Sequence, residues 1–168
     1  MATTDPLHDA PVDTRREVDR WLGNYSEDHR HPTNILLHHV CVPLIVWTVV
    51  AFFWVIPVPP GIGEPGLWAA LAMVGALGWY LRLSRPLGLA MVAVFVVLGA
   101  ITHVLYGWLG ATQLLSLAIL VFVLAWIGQF IGHRIEGKRP SFFTDLVYLL
   151  VGPLWITAKA LRRLGIAY

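Results

Sequence analysis

Charge and sulfur are both scarce in this chain. Only 13% of its 168 residues are charged, about half the roughly 25% of a soluble domain, while 57% are hydrophobic and the mean hydropathy is +0.68. That combination excludes an ordinary water-exposed globule and points to a membrane protein. A single cysteine, Cys41, excludes an intramolecular disulfide and any thiolate-based zinc or iron–sulfur site. The polar opening, MATTDPLHDAPVDTRREVDRW, has no apolar core and does not read as a cleavable signal peptide. Internal repeats, low-complexity tracts and features suited to nucleic acid are missing as well. The length suits one domain, 1–168.

What the chain does have is apolar runs. Four of them, 36–56, 66–83, 87–106 and 112–132, each approach the roughly 20 residues that cross a bilayer core. The breaks are PVPPGIGEPG, SRP and GWLGA, whose prolines and glycines end helices or make tight turns. In lipid every backbone polar group must be satisfied within its own segment, so these runs predict helices. The fold class expected is therefore all-α, with four transmembrane helices.

Four crossings put both termini and the SRP turn on one side. That side then holds all twelve lysines and arginines, and the other side keeps only Glu64. The positive-inside rule makes the basic side, with both termini, cytoplasmic. Residues 1–10 read as flexible, and 11–35 as a cytoplasmic segment with a short surface helix from Pro11 to Tyr25. In the tail, 141–165, the apolar run Leu146–Ile156 is too short to cross, is broken at Gly152-Pro153 and ends in basic residues. It reads as an interfacial or re-entrant helix. The short loops favour a bacterial inner membrane, and a homo-oligomer is allowed without being specified.

This topology sorts the seven histidines by depth. His29, His31, His38, His39 and His133 all fall at the cytoplasmic edge, although His133 is about a hundred residues from the others. His103 lies near the opposite face and His8 in the leading segment. Interfacial histidines can simply cap helices or meet lipid phosphates. Five at one depth point further, because polar groups at a membrane edge tend to carry function and imidazole is the commonest metal ligand. Without thiolates, the imidazoles suit zinc, iron, nickel or copper(II).

Helical spacing adds neighbours. Asn34 and His38 share a face, so Asn34 could orient the His38 ring or, equally, cap the helix with Thr33 beside Pro32. Gln129, His133 and Glu136 form one polar stripe, on which Gln129 suits an interhelical hydrogen bond and Glu136 a pairing with Arg134 or Lys138. Gly128 and Gly132 make a small-xxx-small pair that lets another backbone approach. His39 falls on the wrong side of its helix, and the tryptophans, Trp155 included, read as interfacial anchors before they read as the lining of an acyl pocket.

Two stretches resemble a known family. Y-x-x-x-H-x-x-P-x-N-x-x-x-H-x-x-x-x-P, running from Tyr25 through His29, Pro32, Asn34 and His38 to Pro43, and WIGQFIGH-x-x-E-x-x-x-P, from Trp126 to Pro140, are similar to motifs of the 2-hydroxy fatty acid dioxygenases that shorten phytosphingosine-derived acids. The resemblance covers roughly 21–47 and 126–165, and the middle crossings match only in hydropathy; Cys41 stands where the family usually has glycine. It implies an enzyme that uses iron(II), Fe(2+), and dioxygen to convert a 2-hydroxy fatty acid to an acid one carbon shorter. It further implies His29, His38 and His133 as metal ligands, His31 as a fourth, and Tyr25, Asn34, Gln129 and Glu136 as catalytic or supporting residues. Arg30, Arg134 and Lys138 would steer the substrate carboxylate at the membrane edge, with the acyl tail among the helices. A haem protein with His38 and His133 as axial ligands, and a non-catalytic lipid-binding or scaffold protein, are the competing readings.

Overall fold

The computed structural model describes residues 14–140 and 147–168. The expectations for residues 1–10, for the start of the surface helix at 11–13 and for the start of the tail, 141–146, lie outside them. The described residues form five helices, without strands: α1 (Glu17–Glu27), α2 (Pro32–Trp54), α3 (Leu67–Leu83), α4 (Arg85–Glu136) and α5 (Tyr148–Arg163).

Local chemistry sets the ends of these helices. The α2 helix starts earlier than its apolar run, because the His31 side chain accepts the Thr33 N–H and Pro32 takes the first-turn position where an N–H is not needed. Ser84 plays the capping part for α4, ahead of Pro86. The third and fourth apolar runs turn out to be two arms of α4. The whole GWLGA turn reduces to one non-helical residue, Gly110, at φ 73° and ψ 175°. A positive φ of that size suits glycine alone, so a single residue redirects the helix.

The arms on either side of Gly110 fold back on one another. Leu98 of the first arm packs against the cluster that Leu114 and Ala118 of the second arm form with Trp47 and Ala51 of α2. A straight helix would hold Leu98 and Ala118 about 30 Å apart. The principal packing of the molecule is α2 against α4.

Both α2 and α4 are long and apolar enough to cross a membrane, and α3 is a shorter apolar helix. Their outward faces are greasy: Val74, Leu89 and Val96 stay 64%, 66% and 64% exposed. A surface of this kind across several helices is that of a membrane-associated protein. At one end of the bundle α1 lies against α5. The α1 stripe Val18, Leu22 and Tyr25, spaced four and three apart, packs on Val151, Leu154, Trp155 and Ala158 and reaches Leu87, Met91 and Tyr80. A hydrogen bond from the Tyr80 hydroxyl to the Leu150 carbonyl (2.9 Å) ties α3 to α5.

Candidate metal centre

The α1–α5 end of the bundle is where the histidines meet. His29 follows α1, His38 lies two turns into α2, and His133 sits one turn before the end of α4. All three are buried, with exposures of 3%, 1% and 4%. Their ring centroids are 4.1 Å (His29–His38), 5.0 Å (His29–His133) and 4.9 Å (His38–His133) apart. One ligand nitrogen from each lies within 4.8 Å of the other two.

The hydrogen bonds fix which nitrogens face inward. His29 Nδ1 lies 2.5 Å from the Tyr25 carbonyl and His38 Nδ1 lies 3.0 Å from the Asn34 carbonyl. A carbonyl can only accept, so both rings carry their proton on Nδ1 and leave a lone pair on Nε2. Those two Nε2 atoms are 2.9 Å apart. Burial holds the His29 imidazole below its ordinary pKa, against the opposing pull of the Tyr25 carbonyl and the Asp28 and Glu136 carboxylates. A neutral His29 cannot supply a second proton to bridge the gap. His133 Nδ1 is also buried, without a hydrogen-bond partner among the described residues. Two apposed Nε2 lone pairs with nothing to donate between them, and a His133 nitrogen within reach, are suited to a cation, and imidazole donors suit a first-row transition metal.

Tyr25 and α5 roof the group. The Tyr25 ring stacks on His29 at 4.1 Å, and burial pushes its phenol pKa up, so it stays protonated. Trp155 lies 5.6 Å from the His29 ring and 5.4 Å from Tyr25, with its indole N–H donated to Ser26 Oγ at 2.8 Å. The sequence favoured a membrane anchor for Trp155 over a place in an acyl pocket. The buried run Val151–Trp155 around Gly152-Pro153 is the signal that would have placed it inside.

The second motif holds the first in place. The Glu136 carboxylate accepts the backbone N–H of Arg30 (3.0 and 3.1 Å), that of His31 (2.8 Å) and the Asn34 side-chain amide (3.0 Å). These donors lie at the N-terminus of α2, where unpaired N–H groups and the helix dipole favour an anion. Beside it, Lys138 donates to the Glu27 carbonyl and to Asp28 Oδ1, both at 2.9 Å. The segment that carries His29 is thus gripped twice by the end of α4. Closer to mid-helix, a Cβ on Gly128 would lie 2.6 Å from Cys41 Sγ, and one on Gly132 would collide with Asn34 Oδ1. The two glycines are what let α4 bring His133 to α2.

The other sequence candidates fall outside the three-ring group. His31 is exposed and serves as the α2 cap, its Nδ1 accepting the Thr33 N–H at 3.2 Å. Asn34 supports His38 through its backbone carbonyl, while its side chain goes to Glu136. Glu136 binds main-chain N–H groups, not Arg134 or Lys138 side chains. His39 points to its own helix and to Trp155, and His103 is exposed beside Trp54. Gln129 is buried next to the group, and its Nε2 has no partner among the described residues. With His38 and His133, it lines a cavity of about 50 Å³. On the other flank of His133, Arg134, Lys138 and Arg139 border an open recess of about 880 Å³. The exposed Arg30 side chain does not line either space.

With this geometry in view, comparison with known proteins is specific. The family described as 2-hydroxy-palmitic acid dioxygenase Mpo1-like matches residues 15–164, including the middle helices that the two motifs leave out. The chain belongs to this family. A relative in it is the 2-hydroxy-palmitic acid dioxygenase MPO1 of Saccharomyces cerevisiae, 31% identical over 148 residues, an alignment that covers 86% of this chain and 79% of the yeast protein. No solved structure matches. The three buried histidines lie inside the region shared with the family.

Proposed function

We propose that this protein is a membrane-embedded iron(II) dioxygenase that removes the carboxyl carbon of a 2-hydroxy fatty acid. The observation that carries the reading is the pair of apposed Nε2 lone pairs with a His133 nitrogen within 4.8 Å, in a chain whose yeast relative is named a 2-hydroxy-palmitic acid dioxygenase. His29, His38 and His133 would hold the ion, and His31 remains the helix cap. Bound iron(II) would supply oxygen-binding redox chemistry, with coordination positions left over for a substrate chelating through its carboxylate and hydroxyl.

The rest falls to the protein. The unpartnered Gln129 amide offers a donor to the substrate's carboxylate or hydroxyl in the small cavity beside His38. Arg134, Lys138 and Arg139 give the recess next to His133 a positive field that draws a carboxylate head toward the site. Tyr25 and Trp155 close the opposite wall and exclude water. The reaction balances with one dioxygen: the 2-hydroxy acid and O2 give the acid one carbon shorter, carbon dioxide and water. α2, α3 and the two arms of α4 make four crossings, with the basic residues and both termini in the cytoplasm of a bacterial cell.

Anaerobically purified protein reconstituted with iron(II) is expected to convert 2-hydroxypalmitate to pentadecanoate only when oxygen is admitted, as read by mass spectrometry. Metal-loaded protein that leaves the acid intact would refute the substrate assignment.

A further inference from the structure

We infer that the substrate's acyl chain lies in the apolar cavity between α2, α3, α4 and α5, and that Met73 closes its far end and sets the accepted chain length. This inference rests on the function proposed above. The roughly 50 Å³ space beside His38 and His133 is bounded by Ile45, Val46, Trp126 and Leu149, and the same four residues bound a second cavity of about 640 Å³. The two spaces adjoin, so a ligand with its head at the histidines continues into the larger one. Gln129, 4% exposed and with its amide unpartnered, marks the head end as the polar one. The larger space is apolar almost throughout: its one hydroxyl, on Tyr80, is already bonded to the Leu150 carbonyl. Its width comes from α3, which lines it with Ala69, Ala72 and Ala76, spaced three and four apart on one helical face.

Length identifies the occupant. Along α2, the stretch from His38 to Phe53, the farthest α2 residue lining the cavity, is 15 residues, or about 22 Å at the helical rise. An extended alkyl chain advances about 1.3 Å per carbon, so the space takes a chain of roughly 17 carbons. At that depth Met73, whose tip lies with the Trp54 ring beside Gly99, and nearer the histidines Phe95, line both this cavity and an open groove of about 520 Å³ that reaches Glu64 and Gly66. Met73 is the partition at the far end. A shorter side chain there joins the two spaces, and a larger one at Ala72 fills the nearer.

The test uses the full-length protein in lipid nanodiscs with an equimolar mixture of 2-hydroxy acids from C10 to C22. Two readouts are taken: products formed by the iron-loaded protein, and acids retained by the zinc-loaded protein under native mass spectrometry. For Ala72→Phe, retention and turnover should move to shorter acids, with about a tenfold loss at C16 for each pair of methylenes displaced. For Met73→Ala, both should extend to C20 and beyond. Either variant alone decides the matter if the other fails to fold. Unchanged length profiles in folded, metal-loaded variants overturn the inference even if turnover persists, and so does a wild-type protein that retains no acid. Shifted retention without any turnover supports the chamber and removes the proposed reaction.

Discussion

The two ends of the helical bundle are built on opposite principles. At the histidine end, polar groups cluster and most are tied to the backbone or to one another: Glu136 collects three donors, Lys138 two acceptors, and the Nδ1 atoms of His29 and His38 each reach a backbone carbonyl, while Gln129 Nε2 and His133 Nδ1 are left open. Deeper in the bundle the packing loosens, polar contacts thin out, and apolar cavities of about 640 and 520 Å³ separate the helices. The contrast indicates a division of labour. On the function proposed, the tight end would supply the fixed geometry that a metal and its reacting substrate need, and the loose region the room for a chain whose only demand is to be out of water.

Substitutions should therefore act differently at the two ends. The largest effect is expected for His38→Ala or His133→Ala, either of which should bring turnover of 2-hydroxypalmitate down to background in an oxygen-consumption assay. Next comes Glu136→Ala, which strands the Arg30 and His31 N–H groups and the Asn34 amide. Losing a partner that orients metal-binding residues should weaken iron affinity by about 10- to 100-fold in a competition titration. Glu136→Gln, which keeps an acceptor oxygen, should lose less. In the loose region, Met73→Ala should leave iron affinity unchanged while altering the lengths of acid retained, and a fall in iron affinity there would blur the distinction. The smallest effect is expected for Lys138→Ala. Its ion pair with Asp28 is half exposed (47% and 31%), so its loss should cost about 0.2–1 kcal/mol, a drop of about 1–3 °C in Tm.

The two ends also differ in how plainly the sequence announces them. Apolar runs predict α2 and α3 because a bilayer demands long uncharged helices, and the structure departs mainly at GWLGA. There two glycines were available, and nothing local says that only Gly110 would leave the helix. The meeting of His29, His38 and His133 was legible because the topology expected from the apolar runs returns them to one depth. What Glu136 does was not legible. Its partners are main-chain N–H groups about a hundred residues earlier, and a backbone donor leaves no mark in side-chain spacing. Trp155 was misjudged for a related reason: an indole at a membrane edge reads the same whether it faces lipid or an imidazole. The cavities were out of reach, since an empty volume belongs to the gaps between helices and not to any one of them.

The account stands on the claim that three imidazoles share one metal ion. Wild-type protein and His133→Ala, each loaded with iron(II) under anaerobic conditions and desalted, can be compared by elemental mass spectrometry. One iron per chain in the wild type and essentially none in the variant is the predicted result. Equal iron in both proteins, or no retained iron in a folded wild type, would contradict it.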